Sequence, residues 1–159
     1  KTRLTHIEEG FEFLGWRIQR RKKKGTRGTT RVYTYPSKKS LASIIDRIRI
    51  LTRRTAHRTL ADLLRRLNPA IRGWCAYFQH GVSKRTFCYV DNFAFRRILG
   101  WLYKRPPRLN KHTVNRRFLP GWRIRDDGIE FFRACRVPVT RYRYRGTRIP
   151  SPWTANATA

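Results

Sequence analysis

Apolar residues recur at helical spacing in the centre of the chain, between Leu67 and Arg105. A first helix face is formed by four residues at i, i+3, i+4 and i+7: Ile71, Trp74, Cys75 and Phe78. Asn68 is a preferred N-cap, and Pro69 suits the first helical position, where its missing N–H is not needed. We therefore predict a helix that begins at Asn68 and ends near Phe78.

A second helix is predicted directly after it, because Gly81 suits a left-handed C-cap and Ser83 can cap the next helix. Its apolar face is a five-residue stripe: Phe87, Val90, Ala94, Ile98 and Trp101. Four further residues widen that face: Phe93, Phe95, Leu99 and Leu102. Pro106 and Pro107 end the helix. We therefore predict a pair of helices that other segments of the chain cover on more than one side.

The residues before this pair predict strands and then helices. Residues 10–19 alternate in polarity, which predicts a strand or hairpin with Gly15 at a bulge or a close backbone approach. Residues 31–35 form a β-type run that can pair back on it. Ser37 and Thr59 are suitable N-caps for two helices. Their apolar residues are Leu41, Ile44, Ile45, Ile48 and Leu51 in the first, and Leu60, Leu63, Leu64 and Leu67 in the second.

After the central pair, residues 111–119 predict one more short helix. Asp127-Gly128 is a hairpin-turn dipeptide between two β-type runs. Residues 141–145 alternate Arg and Tyr, as in an edge strand or extended arm, and the tail is expected to fray. The predicted fold is mainly α, a helical bundle with a short N-terminal β-hairpin and a small β-like C-terminal segment.

Charge narrows the choice of partner. The 159 residues include 38 Lys and Arg against 9 Asp and Glu, for a formal net charge of +29. Such a chain fits a polyanion, with nucleic acid as the first choice and a membrane surface as the second. No apolar run approaches the roughly 20 residues needed to span a bilayer.

The three cysteines include no C-x-x-C pair, which favours a reducing compartment. Cys75, His80 and Cys88 could be imagined as metal ligands. We expect instead that the two cysteines are buried thiols on helix faces.

The cations among the apolar positions are the candidate phosphate contacts. They are Arg20, Arg21, Lys22, Lys23, Lys24, Arg72, Lys84, Arg85, Arg96, Arg97, Lys104 and Arg105. For the five consecutive cations at residues 20–24, the alternative to a phosphate-contacting loop is a solvated hairpin tip. Tyr77 and Tyr89 are candidates for stacking on bases, with packing against a neighbouring helix as the alternative.

Four stretches, in order, resemble the C-terminal part of group II intron reverse transcriptase/maturases. KTRLTHIEEGFEFLGWRI resembles the end of the reverse transcriptase domain, where F-L-G forms the primer grip. TYPSKKSL resembles the entry to the thumb. LNPAIRGWCAYFQHG and the helix after it resemble the maturase-specific domain X, and GWRI with RYRYRGTRIPSP resembles the segment that follows. N-P-x-x-R-G-W is the most specific block.

The resemblance divides the chain into the end of a reverse transcriptase domain at 1–36, a helical thumb and domain X at 37–119, and a C-terminal β-like extension and tail at 120–159. Phe13, Leu14 and Gly15 take the primer-grip-like positions. It implies an RNA-binding maturase that binds structured group II intron RNA and assists its splicing. In a full-length protein it would also grip an RNA–DNA template–primer duplex, and a separate palm-containing chain is a further candidate partner.

We expect no catalytic residues in the chain as it stands. The Y/F-A-D-D block of the polymerase palm and the nuclease motif are both missing, and Asp126-Asp127 reads as a turn. No cofactor or metal site is expected, and Mg²⁺ would enter only through the bound RNA or a palm. The expected location is the bacterial cytosol or nucleoid, or an organelle. Because no methionine is present, we expect the chain to be part of a longer protein.

Three alternatives stay open. The chain could be the non-catalytic part of an RNA-directed DNA polymerase that needs a separate palm. It could also be a decaying fragment of a mobile element that still folds. A generic basic DNA-binding protein is a third choice, although no helix-turn-helix, zinc-finger or basic-zipper signature supports it.

Overall fold

A computed structural model describes residues 5–22, 25, 30–53, 58–104 and 110–140. The strands and helices follow in this order: β1 Phe11–Phe13, β2 Trp16–Lys22, β3 Thr30–Pro36, α1 Lys38–Leu51, α2 Leu60–Phe78, α3 Lys84–Lys104, α4 Lys111–Phe118, β4 Arg125–Asp126 and β5 Ile129–Glu130. Single turns of 3₁₀ helix lie at Pro120–Trp122 and Ala134–Arg136. The prediction of a mainly α fold with a short N-terminal hairpin and a small C-terminal β segment is confirmed.

The N-terminal strands form an antiparallel sheet in the order β1-β2-β3. Leu14 and Gly15 form the tight turn between β1 and β2, with φ values of 47° and 79°. Because both are positive, the turn has the twist of a two-residue type I′ hairpin, so the predicted bulge at Gly15 is wrong. The predicted close approach is confirmed, since a Cβ on Gly15 would lie 2.6 Å from Ser40 Oγ.

Helix α2 is a single helix of 19 residues, so the prediction that a new helix begins at Asn68 is wrong. Asn68 is buried inside α2, and its side chain serves another segment instead of capping. Its amide nitrogen donates to the Glu130 carbonyl, and its amide oxygen accepts from Phe132 N–H. Pro69 removes one backbone hydrogen bond, but the buried face runs without a break across it, from Leu60 to Phe78.

The turn between α2 and α3 also differs from the prediction. Gly81 does not adopt a left-handed conformation. It is required by packing, because a Cβ there would overlap the Trp16 ring and lie 2.8 Å from the Thr34 carbonyl oxygen. The Ser83 carbonyl accepts from Phe87 N–H, but its buried hydroxyl has no hydrogen-bond partner in the described part of the chain. The predicted side-chain cap at Ser83 is therefore wrong, whereas those at Ser37 and Thr59 are confirmed.

One hydrophobic core joins α1, α2, α3 and α4 to the segment after them. All five residues of the predicted α3 stripe are buried, as are Val114 and Phe118 of α4. Ile124, Phe131 and Ala134 from the later segment enter the same core. β4 and β5 are joined by the predicted turn, in which Asp127 and Gly128 have φ values of 48° and 71°. Residues 141–159 lie outside the described residues, together with the predicted arm and tail.

Candidate nucleic-acid interface

The exterior of the helices carries far more positive than negative side chains. Four aspartates pair with arginines: Asp46 with Arg49, Asp62 and Asp127 with Arg65, and Asp91 with Arg133. The pairs of Asp46, Asp62 and Asp127 are exposed, so they contribute little to stability. Most of the other cations in the described residues have no carboxylate partner, which leaves a positively charged surface for a polyanion.

Helix α3 presents several of the predicted cations to solvent. Arg85, Arg96 and Lys104 are exposed, and none makes a hydrogen bond or ion pair with another described residue. Arg97 is also exposed, but its Nε donates to Thr52 Oγ1 at the end of α1, 2.9 Å away. These side chains project from one helix whose backbone is already ordered, so they can contact several phosphates without further loss of backbone conformational entropy.

A pocket of about 340 Å³ opens where the C-terminal ends of α1 and α3 meet. It is lined by Thr52, Arg53, Arg96, Arg97, Gly100, Trp101 and Lys104. Four of these seven residues are cations and none is an acid. The structure thus gathers Arg96, Arg97 and Lys104 into one basic concavity. Of the predicted contacts, Arg105 lies outside the described residues.

Two other predicted contacts are used within the fold. Lys84 Nζ donates to the carbonyl oxygens of Cys135 and Val137, at 2.6 and 3.1 Å. The guanidinium of Arg72 lies over the Phe132 ring, 5.2 Å from its centroid. Both cations therefore hold residues 132–137 against α2 and α3, and each is still exposed on one side.

The basic run after the first hairpin continues strand β2. Arg20, Arg21 and Lys22 are exposed and paired with residues 30–32 of β3, so these three do not belong to a loop. Arg21 is oriented by Gln19 and by the Tyr35 hydroxyl, and it also lies over the Tyr35 ring. Lys23 and Lys24 lie outside the described residues.

The primer-grip-like residues lie at the tip of the β1–β2 hairpin. Phe13 and Leu14 are 60% and 69% exposed, and Gly15 is half-buried against α1. Beside this tip lies an open groove of about 500 Å³. It is lined by Leu14, Gly15, Lys39, Ser40, Ser43, Trp74, Tyr77 and Phe78. An apolar tip beside an aromatic groove can contact a base or an apolar protein surface.

The two candidate stacking tyrosines have different surroundings. Tyr77 packs edge-on against Phe78, with ring centroids 4.8 Å apart, and its hydroxyl donates to the Leu14 carbonyl. Tyr89 is 54% exposed on α3. Tyr77 therefore holds the hairpin to α2, and Tyr89 has the more open ring face.

Asp126 and Asp127 stabilise the N-terminal end of α2 through hydrogen bonds. Asp126 Oδ2 accepts from Ala61 N–H at 3.1 Å, which satisfies one of the free donors of that helix end. Asp127 Oδ2 accepts from Arg65 at 2.9 Å. The sequence predicts the turn but not this use of its carboxylates, because the contact between Asp126 and Ala61 joins residues 65 positions apart.

Asp91 forms an ion pair with Arg133 that the sequence patterns do not predict. Asp91 is 4% exposed and lies between Phe87 and Ala94 on the apolar face of α3. It is the only acidic residue between positions 67 and 105. That isolated charge within an apolar stripe was the signal that a buried partner exists, since unpaired charges are rarely buried.

The cysteines give no sign of a metal site within the described ranges, where no group of three potential ligands occurs. Burial, and then the negative charge of Asp91, raises the pKa of the Cys75 thiol to about 12. Cys88 is exposed. In the same ranges, no helix is both long and apolar enough to cross a membrane.

Comparison with protein families gives a match over the helical part of the chain. Residues 41–119 match the family described as "Group II intron, maturase-specific domain". The matched range covers most of α1 and all of α2, α3 and α4, and it includes every residue that lines the basic pocket. Comparison with curated proteins gave no significant match.

Proposed function

The chain belongs, through residues 41–119, to the group II intron maturase-specific domain family, and we propose on that basis that it binds folded group II intron RNA and assists its splicing. On this proposal the protein contributes binding rather than chemistry. It neutralises backbone phosphates where RNA helices come close together and so stabilises the splicing-competent fold. Any Mg²⁺ would belong to the RNA.

One observation carries the proposal: the rigid α3 helix displays cations that no described acid neutralises. Arg85, Arg96 and Lys104 project from a helix whose opposite face is buried in the core. Each phosphate contact releases condensed counterions, which makes binding strong at low salt and steeply salt-dependent. Structured RNA is recognised mainly by shape and backbone, which suits a fixed array of charges.

The test compares two RNAs over a salt series. The chain is titrated with its host intron RNA and with a generic RNA duplex of equal length, and binding is followed by fluorescence anisotropy. We expect at least about tenfold tighter binding to the intron RNA, with a preference that survives about 0.2 M salt. Equal affinities that fall together with salt would overturn the proposal and would favour the alternative of a non-catalytic fragment that needs a separate palm.

A second role, gripping a template–primer duplex beside a polymerase palm, is supported by the exposed hairpin tip. Phe13 and Leu14 are the two most exposed large apolar residues of that hairpin, and Leu14 lines the aromatic groove. Two adjacent apolar residues beside an apolar groove form a contiguous exposed patch, and such patches are typical of interaction sites. The palm would come from a separate or preceding segment and would supply the catalytic metal site.

The test for this role uses two RNA–DNA hybrids, one with a recessed primer end and one with blunt ends. We expect tighter binding to the recessed end, and we expect a Phe13→Ser, Leu14→Ser variant to lose that preference alone. Val32→Ser is the matched control, because Val32 is 50% exposed on the same sheet but away from the groove. Equal binding of both hybrids by the unmodified chain would exclude a grip on the primer end by this chain alone.

A further inference from the structure

The basic pocket between α1 and α3 has the features of a built anion site rather than a chance collection of surface charges. Arg53 follows α1, Arg96 and Arg97 are adjacent residues of α3, and Lys104 is the last residue of that helix, about two turns later. Four positive side chains around one concavity repel one another. No described acid lines the pocket to offset that repulsion, so the arrangement favours a bound anion.

Arg97 is held in position before any ligand arrives. Thr52 is 4% exposed, and its hydroxyl donates its single proton to the Ile48 carbonyl at 2.7 Å. The oxygen is then left to accept, and it accepts from Arg97 Nε at 2.9 Å. Arg97 lines the pocket, and its two terminal guanidinium nitrogens make no hydrogen bond with another described residue. Because a guanidinium presents paired N–H groups, it matches two phosphate oxygens.

The walls of the pocket strengthen the attraction between its cations and a bound anion. Trp101 is 4% exposed and forms an apolar wall, where charge–charge attraction is stronger than in open water. Gly100 leaves the floor open, since a Cβ there would meet no atom within 4 Å. The volume of about 340 Å³ exceeds the needs of one small ion.

We propose that this pocket binds two neighbouring phosphates of an RNA backbone, with Arg96 and Arg97 as ligands and Thr52 as the positioning residue. The RNA part of the proposal rests on the proposed function above. It goes further by assigning one defined site, at the α1–α3 junction, whose loss should cost more affinity than the loss of equal charge elsewhere on the surface.

The first arm of the test uses inorganic pyrophosphate, which carries two linked phosphates and no RNA. Binding is followed by NMR through the indole N–H signal of Trp101, assigned with a Trp101→Phe variant. We expect a saturable shift that is lost in Arg96→Gln, Arg97→Gln. We expect Thr52→Val to weaken binding roughly tenfold and Thr52→Ser to restore it, because only serine keeps the oxygen that accepts from Arg97.

The second arm uses the host intron RNA. At a fixed salt concentration, Arg96→Gln, Arg97→Gln should bind it roughly tenfold more weakly than the matched control Arg66→Gln, Arg116→Gln. The control removes the same charge from exposed positions on α2 and α4 that do not line the pocket. Circular dichroism checks that all variants fold.

The combined outcomes of the two arms distinguish the pocket proposal from the proposed maturase function. No pyrophosphate shift at Trp101, with equal losses of RNA affinity in both double variants, overturns the pocket and leaves the maturase function standing. A pyrophosphate shift with equal losses overturns the RNA assignment and leaves an anion site only. A shift together with the larger loss in the pocket variant supports the proposal, whether or not the RNA is then spliced.

Discussion

Arg133 places its guanidinium against the buried carboxylate of Asp91, with Nη2 2.9 Å from Oδ2 and Nε within 3.2 Å of both oxygens. The Asp91 side chain is 5% exposed and that of Arg133 is 29% exposed. The hydrogen bond from Arg133 to Asp91 raises the pKa of the guanidinium further above its usual range. This pair anchors the segment after β5 to the centre of α3.

Removing Arg133 should therefore be costly. We expect Arg133→Met to lower the free energy of unfolding by about 3 kcal/mol, because it leaves Asp91 buried without a charged partner. The double variant Arg133→Met, Asp91→Leu should regain much of that loss, since no unpaired charge remains. Urea denaturation of the four proteins in this cycle measures the coupling. Additive losses would mean that the two side chains do not depend on one another.

The close contact between Gly81 and Trp16 should not tolerate a larger side chain at position 81. We expect Gly81→Ala to cost about 1–3 kcal/mol, because the new methyl group overlaps the Trp16 ring. Gly73→Ala is the matched control: Gly73 lies in α2 with no atom within 4 Å of an added Cβ, so alanine there should stabilise by about 0.5–1 kcal/mol. Thermal denaturation distinguishes the two signs, and a stabilising Gly81→Ala would exclude the proposed overlap.

Lys84 and Arg85 are neighbours in sequence with different expected roles. Arg85 has no partner among the described residues, so Arg85→Gln should flatten the salt dependence of RNA binding by about one unit and leave stability unchanged. Lys84 holds the carbonyls of Cys135 and Val137, so Lys84→Gln should mainly lower stability. Binding isotherms at several salt concentrations and urea denaturation measure the two effects. The reverse result would reassign both residues.

The cysteines should react at very different rates. At about pH 8.5, iodoacetamide should modify exposed Cys88 in the native protein and Cys75 only after unfolding, because the buried Cys75 thiol stays protonated. Peptide mass spectrometry gives the order of labelling. Rapid labelling of native Cys75 would contradict its burial.

The raised pKa of Cys75 also sets a pH dependence. Its folded-state pKa, about 12, lies above the ordinary value of 9.0, so the native state holds this proton more tightly than the unfolded state. The resulting contribution to stability is complete below pH 9.0 and is lost as the pH rises from there towards about 12. We expect the free energy of unfolding to fall less in Cys75→Ala than in the unmodified chain between about pH 8 and about pH 10.5.

Local sequence signals predicted the helix faces, the caps at Ser37 and Thr59, and the Asp127-Gly128 turn correctly. Each depends on residues close together in the chain, where periodicity and side-chain caps are informative. The errors at Asn68, Gly81 and Ser83 have a common cause. The environments of Asn68 and Gly81 are set by residues far away in sequence, Phe132 for Asn68 and Trp16 for Gly81, and the burial of Ser83 likewise depends on tertiary packing. A local pattern contains no information about those partners.

In the candidate site, too, local sequence predicts some properties of the cations, whereas others depend on tertiary packing. Exposure of Arg85, Arg96 and Lys104 follows from their positions opposite the apolar face of α3. The use of Lys84 within the fold, and the meeting of Arg53 with Arg97 in one pocket, depend on how α1 and the later segment pack against α3. Sequence alone therefore predicted which residues carry charge but not which of them act together.

The hydrogen bonds of Asn68 to Glu130 and Phe132 span 62 and 64 positions, and the Asp91–Arg133 pair spans 42. Because the ribosome delivers the N-terminal part first, α2 and α3 emerge well before their last packing partners are made. Until then the sites for Ile124 and Phe131 stay open to water, and Asp91 has no counterion. A nascent chain stalled before Ile124 should thus present an apolar surface to chaperones, and α3 should become fixed in the core only once Arg133 has left the exit tunnel.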